Sequence, residues 1–225
     1  MKWKENLEKV QVVKYTKEQD EFNYVSHLFG VLVGVAICIA GIVLYLLKDL
    51  NILYLIGNLI FGVAAILLYF MSANYHHSSA DDKHIRLKRV IDHCTIYVLI
   101  AGTYTPICLY IMQQNVIGLV LLIIQWVLAL AGVLLNAYDF SKKWVKVISM
   151  FFYIALGWMI LYSTAFTYLP TNSFVLLLIG GIAYTLGSVL YGIGHKKNQW
   201  FHCVFHIFVL IGTILQAIGV MFLLF

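Results

Sequence analysis

Charged residues are scarce in this chain of 225 residues: Asp, Glu, Lys and Arg make up 11%, whereas 62% of the residues are hydrophobic. The mean hydropathy is +0.89. A soluble domain carries about 25% charged residues, so this composition excludes one and predicts an integral membrane protein. The four cysteines lie in or beside apolar segments without paired spacing, so no disulfide framework is implied.

The first 23 residues lack an apolar core. They carry five lysines and five acidic residues, so they do not form a cleaved signal peptide. Trp3, Leu7 and Val10 recur at helical spacing among these charges, which is typical of a short helix on a membrane surface. A solvated tail is an equally good interpretation. We therefore predict residues 1–23 as an N-terminal tail.

Seven apolar segments are long enough to cross the hydrocarbon core of a bilayer. They cover residues 24–47, 52–75, 90–112, 116–137, 144–166, 173–194 and 201–225. Short polar stretches separate them, so consecutive segments should run antiparallel in one bundle. The sequence predicts an all-α integral membrane protein, a seven-transmembrane helix bundle over 24–225 without room for a separate soluble domain.

Basic residues outside these segments lie almost entirely on one predicted side of the membrane. The tail and the second, fourth and sixth loops with their borders hold 14 of the 15 Lys and Arg residues, and Lys48 is alone on the other side. Cytoplasmic loops are the ones enriched in Lys and Arg. We therefore predict a cytoplasmic N-terminus and an outside C-terminus. The net charge of +5 is a topology signal and gives no reason to invoke nucleic acid.

Two histidines, His202 and His206, stand one helical turn apart at the start of the last segment. That spacing lets two imidazoles bind one ion, and His76, at the end of the second segment on the same predicted side, would be a third ligand. Three protein ligands with an open fourth position are typical of a catalytic zinc site. Alone, the pair is a weak signal, because the Glu of the metalloprotease helix motif is absent.

Two further polar residues belong to the predicted site. Ser72 lies one turn before His76 and should share its face, whereas His77 is about 100° around the helix, so we prefer His76 to His77 as the ligand. Asp92, at the start of the third segment, could be a fourth ligand or could hold the metal's water and accept its proton.

Four motifs occur in order along the chain: EFNYVSHLFGV, SANYH, RLKRVIDHCTIYVLIAGTYTP and HCVFH. In this combination the sequence resembles the bacterial hemolysin III proteins, within the progestin and adipoQ receptor family. The resemblance implies a seven-helix membrane fold with its N-terminus inside. From the adiponectin receptors it implies Zn²⁺ bound by His76, His202 and His206, with Asp92 beside the zinc-bound water and Ser72 nearby as the catalytic groups.

The same resemblance implies a reaction, the hydrolysis of a lipid amide or ester such as ceramide from the cytoplasmic leaflet of the plasma membrane. The alternative is a non-enzymatic protein with a structural zinc, either pore-forming and hemolytic or active in membrane homeostasis. Gln125, Asn136 and Gln216 are nearly the only strongly polar residues deep in the segments, which argues against an ion pathway.

The subfamily's pattern also includes Glu21, Asn23 and His27 at the edge of the first segment. Glu21 or His27 could line the cavity, but anchoring at the membrane interface or helix capping accounts for each residue equally well.

Overall fold

Eight α-helices form in the part of the chain that the computed structural model describes, residues 2–79, 82–194 and 197–224. They are α1 (Lys2–Glu8), α2 (Lys17–Lys48), α3 (Ile52–His76), α4 (Ile85–Met112), α5 (Ile117–Asp139), α6 (Lys143–Gly157), α7 (Thr171–Gly194) and α8 (Trp200–Met221). Short 3-10 turns cover Met159–Tyr162, Thr164–Tyr168 and Phe222–Leu224. Lys196, counted above among the basic residues of the loops, and Phe225, the end of the last predicted segment, lie outside the described residues.

Six of the described helices are long and apolar enough to cross a membrane, namely α2, α3, α4, α5, α7 and α8. Their outward side chains are apolar and yet exposed: on α2, for example, Leu32 is 63% exposed and Leu47 is 75% exposed. Continuous apolar surface of this kind is typical of helices surrounded by lipid. The chain is therefore an all-α, multi-pass membrane protein.

Neighbouring helices pack side by side, α2 on α3, α3 on α4, α4 on α5 and α7 on α8, and α8 also contacts α2. Between α2 and α3 the backbones approach closely, since a Cβ atom on Gly62 would lie 2.9 Å from the Gly34 carbonyl oxygen. Small residues at such crossings are typical of membrane helices. This packing brings the starts of α2, α4 and α8 together with the end of α3, at what we call the histidine end of the bundle.

The fifth predicted segment, 144–166, is not one continuous helix. Helix α6 ends at Gly157, and 3-10 turns follow as far as Tyr168. The Tyr104 hydroxyl donates to the Gly157 carbonyl at 2.8 Å and accepts from the Ile160 amide at 3.1 Å. A side chain inserted into the backbone ladder in this way interrupts a helix. The described residues therefore contain six helices able to span a membrane, one fewer than the segments predicted from the sequence.

Helix α2 begins at Lys17, seven residues before the predicted start of the first segment at 24. A capping box starts it: the Thr16 hydroxyl accepts from the Gln19 amide at 3.3 Å, and the Gln19 side chain accepts from the Thr16 amide at 3.0 Å. This pairing satisfies backbone donors that the first turn leaves free. Residues 17–23, predicted as part of the tail, are therefore helical and belong to the bundle.

The N-terminal segment, residues 2–15, folds back over the bundle. On α1 the Trp3 indole donates to the Ala137 carbonyl at 2.7 Å, and the Asn6 amide donates to the Tyr138 carbonyl at 3.1 Å. Val10 is 3% exposed and packs in an apolar cluster with Val90. The other buried members of this cluster are Phe140 and Val145. In the structure this segment contains a short helix, α1, which contacts the protein through Trp3 and Asn6.

Candidate metal centre

Three histidines from two helices converge at the histidine end. The Nε2 atom of His202 lies 3.3 Å from Nε2 of His76 and 3.0 Å from Nε2 of His206. One ring nitrogen from each residue falls within 4.8 Å of the other two. All three side chains are buried, with 2–5% of each residue exposed. A buried His76/His202/His206 group of this geometry can hold a metal ion.

The donor set suits a first-row metal ion. Each neutral imidazole brings one nitrogen lone pair. A proton on the His202 Nε2 atom could form a hydrogen bond to only one of the two neighbouring nitrogens, so such a bond does not account for both close contacts. A tetrahedral ion with Zn–N bonds of about 2.0–2.1 Å would place its ligand nitrogens roughly 3.3 Å apart. The two Nε2–Nε2 separations, 3.0 and 3.3 Å, are of that size. The residues present therefore fit a bound cation such as Zn²⁺.

Asp20 on α2 contacts the outer nitrogen of His76. Its Oδ1 atom lies 2.9 Å from His76 Nδ1, and the Asn23 amide nitrogen lies 3.5 Å from the same atom. Metal-binding histidines usually donate their second N–H to a carboxylate, which fixes the tautomer and the ring. A proton on Nδ1 shared with Asp20 leaves the Nε2 lone pair facing the other two histidines.

Asp20 was missed in the sequence analysis. A signal was nevertheless present, because Asp20, Asn23 and His27 follow one another at i, i+3 and i+7 and therefore share one face of a helix. Predicting the start of the first segment at Tyr24 obscured this pattern. Glu21, the acidic residue that directly follows Asp20, is exposed.

Ser72 and Asp92 are both buried at this end of the bundle, 1% and 9% exposed. They lie close enough for the Ser72 hydroxyl to donate a hydrogen bond to the Asp92 carboxylate. Among the described residues, the ligand atoms that converge within 4.8 Å belong to the three histidines, and Asp92 is not in that group.

Aromatic rings enclose the histidines. Tyr15, from the N-terminal segment, stacks on His202 at 5.3 Å between ring centroids and meets His76 edge-on at 5.2 Å. Burial raises the pKa of the Tyr15 phenol above its usual value. Tyr191 of α7 packs against His202 from another direction, with centroids 5.3 Å apart. The N-terminal segment therefore covers the group of histidines.

Three other histidines take different places. His27 is 3% exposed and stacks on His206, with ring centroids 3.8 Å apart and planes 17° from parallel. His77 is exposed and stacks on Tyr24. His93 packs against the Phe140 ring at 4.5 Å. Of these three described histidines, His27 borders the candidate centre through its stack on His206.

Comparison with known proteins gives consistent matches over most of the chain. Residues 15–217 match the family described as Haemolysin-III related. A "Hemolysin-3 homolog" of Bacillus subtilis (strain 168) is 33% identical over 210 residues, which is 92% of this chain and 95% of that protein. The "Hemolysin-3" of Bacillus cereus is 31% identical over 214 residues, 94% of each chain.

Proposed function

This chain belongs to the hemolysin III family, and from that premise we propose that it is a membrane-embedded zinc hydrolase that cleaves a lipid amide or ester. The observation that carries the proposal is the convergence of three buried imidazoles, with nitrogens 3.0 and 3.3 Å apart, beside a buried carboxylate. A purely packing role does not call for three imidazoles and an aspartate in an apolar bundle, where ionisable residues usually mark function.

Each residue of the site has a role in this proposal. His76, His202 and His206 hold Zn²⁺, which when bound supplies a Lewis acid that polarises a carbonyl and lowers the pKa of water. Asp20 orients His76. The Asp92 carboxylate accepts a proton from the water that attacks the carbonyl carbon, and then gives it to the departing amine or alcohol as the C–N or C–O bond breaks.

Ser72 contributes through Asp92. A hydroxyl next to a buried carboxylate can donate a hydrogen bond to it, which holds the carboxylate in one orientation and stabilises its charged form. The burial of both residues keeps bulk water from competing for this contact. Ser72 therefore positions the proton acceptor.

The proposed topology is seven spans with a cytoplasmic N-terminus and an outside C-terminus in the plasma membrane. Helix α6, Lys143–Gly157, together with the 3-10 turns up to Tyr168 would form the span that is not helical throughout. Fourteen of the 15 Lys and Arg residues would then lie inside. In this orientation the histidine end is cytoplasmic, and the substrate is a lipid of the cytoplasmic leaflet.

A second candidate function is a protein with a structural zinc that perturbs or senses the membrane. Two observations favour it: the relatives carry the name hemolysin, and the three histidines are at most 5% exposed. A structural site is closed by protein, whereas a catalytic one must admit its substrate. In the structure the N-terminal segment supplies part of that closure, so the two candidates differ in whether the segment moves.

Metal analysis of the purified protein, alongside His202→Ala, tests the proposal first. We expect one zinc per chain in the wild type and substoichiometric zinc in the variant. Wild-type protein without stoichiometric zinc would contradict both candidate functions. Hydrolysis of lipid amides and esters, with Asp92→Asn as the control, then separates them: lost turnover with retained zinc supports the hydrolase, and no turnover by either protein leaves the structural candidate. Lysis of intact red cells by purified protein without detergent would favour the second candidate.

A further inference from the structure

His27 is a buried imidazole whose ring nitrogens are both without a hydrogen-bond partner among the described residues. It is 3% exposed. The neighbouring hydroxyl, on Tyr69, is engaged elsewhere, with Thr213 Oγ1 at 2.6 Å and the Val209 carbonyl at 3.3 Å. Buried polar groups are nearly always hydrogen-bonded, so an unpartnered one needs an explanation.

The ring of His27 is clamped between two others. It lies parallel to His206 at 3.8 Å and edge-on to Tyr69 at 5.1 Å, with planes 86° apart. Helix α2 presents it from the same face as Asn23, one turn earlier, whose amide reaches His76. Such contacts fix the plane of the ring, so its two nitrogens point in set directions beside the group of three histidines.

Packing alone does not account for a histidine at this position. Phenylalanine would make the same ring contacts without leaving two polar atoms unpaired in an apolar bundle. A neutral imidazole offers one N–H donor and one acceptor nitrogen. Position 27 therefore places a hydrogen-bonding group next to the candidate metal centre.

We propose that His27 binds an oxygen atom of the molecule that occupies the centre, donating its N–H to a carbonyl or carboxyl oxygen of that ligand. The ligand class is an acyl compound: a lipid amide, an ester or the fatty acid that either releases. This inference rests on the metal centre of the proposed function, but it does not require turnover. His27 is not itself a ligand of the ion, since the converging nitrogens belong to His76, His202 and His206.

Cobalt-substituted protein gives a readout that does not depend on hydrolysis. Purified protein is stripped of metal and loaded with Co²⁺, whose visible absorption reports both uptake and changes in its ligands. Acetohydroxamate, a small acyl compound that binds metals through its oxygens, is then titrated in. The proteins compared are the wild type, His27→Phe, His27→Gln and the control His77→Phe, which replaces an exposed histidine that also stacks on a ring.

We expect the four proteins to take up Co²⁺ equally. The His27→Phe variant keeps the stack on His206 and loses the hydrogen bond, so its hydroxamate dissociation constant should rise about tenfold, the usual value of one such bond. The His27→Gln variant, whose amide retains an N–H donor, should lose less. The His77→Phe control should bind hydroxamate as the wild type does.

Three results would overturn the inference. If both His27 variants bind hydroxamate as tightly as the wild type, the residue only packs, and the metal centre stands. If either variant, folded by its thermal transition, loses Co²⁺ itself, His27 serves the metal and not the acyl ligand. If the wild type takes up no Co²⁺, this inference and the proposed function fail together. Wild-type hydroxamate binding without lipid hydrolysis would instead overturn the hydrolase alone.

Discussion

The Oδ1 atom of Asp20 lies 2.9 Å from Nδ1 of His76, and this contact joins the first turn of α2 to the last turn of α3. Asp20 engages Nδ1 of His76, the ring nitrogen that lies away from His202. The contact therefore leaves Nε2 of His76 facing the other histidines. The acid next to it, Glu21, is exposed. Of these two adjacent carboxylates, Asp20 is half-buried, and it is the one that contacts His76.

Replacing Asp20 by Asn should weaken metal binding by roughly 10- to 100-fold, the usual loss when the carboxylate behind a metal-binding histidine is removed. Glu21→Gln, which removes the same charge one residue further on, should leave the affinity unchanged. Competition with a chromophoric zinc chelator measures both. Equal affinities in the two variants would show that Asp20 does not position His76.

Replacing Val10 by Asp should detach the N-terminal segment from the bundle. Val10 is 3% exposed, and losing the burial of a valine costs about 1.5–3 kcal/mol, which is roughly tenfold or more in the population of the detached form. Because Tyr15 of the same segment stacks on His202, the histidines should become more accessible.

The rate at which a chelator removes the metal measures that access, and we expect it to rise about tenfold. Gln11→Asp introduces the same carboxylate at an exposed side chain, next to Val10, and should leave the rate unchanged. An unchanged rate in the Val10 variant would mean that metal leaves the site by a route that the segment does not cover.

Replacing Gly62 by Ala should destabilise the crossing of α2 and α3. The added Cβ atom would overlap the Cys38 sulfur and come within 2.9 Å of the Gly34 carbonyl oxygen. Overpacking of this kind costs about 1–3 kcal/mol. Thermal unfolding in detergent should show a lower midpoint, while Gly157→Ala, whose new Cβ meets nothing within 4 Å, should not. Equal midpoints would argue against close packing at this crossing.

Alkaline phosphatase fusions test the proposed topology, since the enzyme is active only outside the cytoplasm. Fusions after Gln114 and after Phe225 should be active, and fusions after Lys83 and after Lys142 should be inactive. The decisive pair is Lys142 and Phe225, because helix α6 with its 3-10 turns lies between them. If Lys142 and Phe225 lie on the same side, the segment from α6 to Tyr168 does not cross.

Much of this protein follows from local chemistry. Apolar runs of about 20 residues require membrane helices, and the positions of His76, His202 and His206 near segment ends follow from where those runs begin and end. The i, i+4 spacing of His202 and His206 by itself places two imidazoles on one helical face. These features depend on length, composition and helical period, which the sequence states directly.

Contacts between distant segments were decided only by the tertiary structure. The hydroxyl of Tyr104 meets the end of α6 at Gly157, although the apolar run 144–166 continues beyond that residue. Asp20 contacts His76, which is 56 positions away in the sequence, and His27 stacks on His206. Helical periodicity tells which residues share a face of one helix. It does not tell which other helix that face contacts. That pairing is set by close packing at small residues such as Gly34 and Gly62, and only the folded bundle determines it.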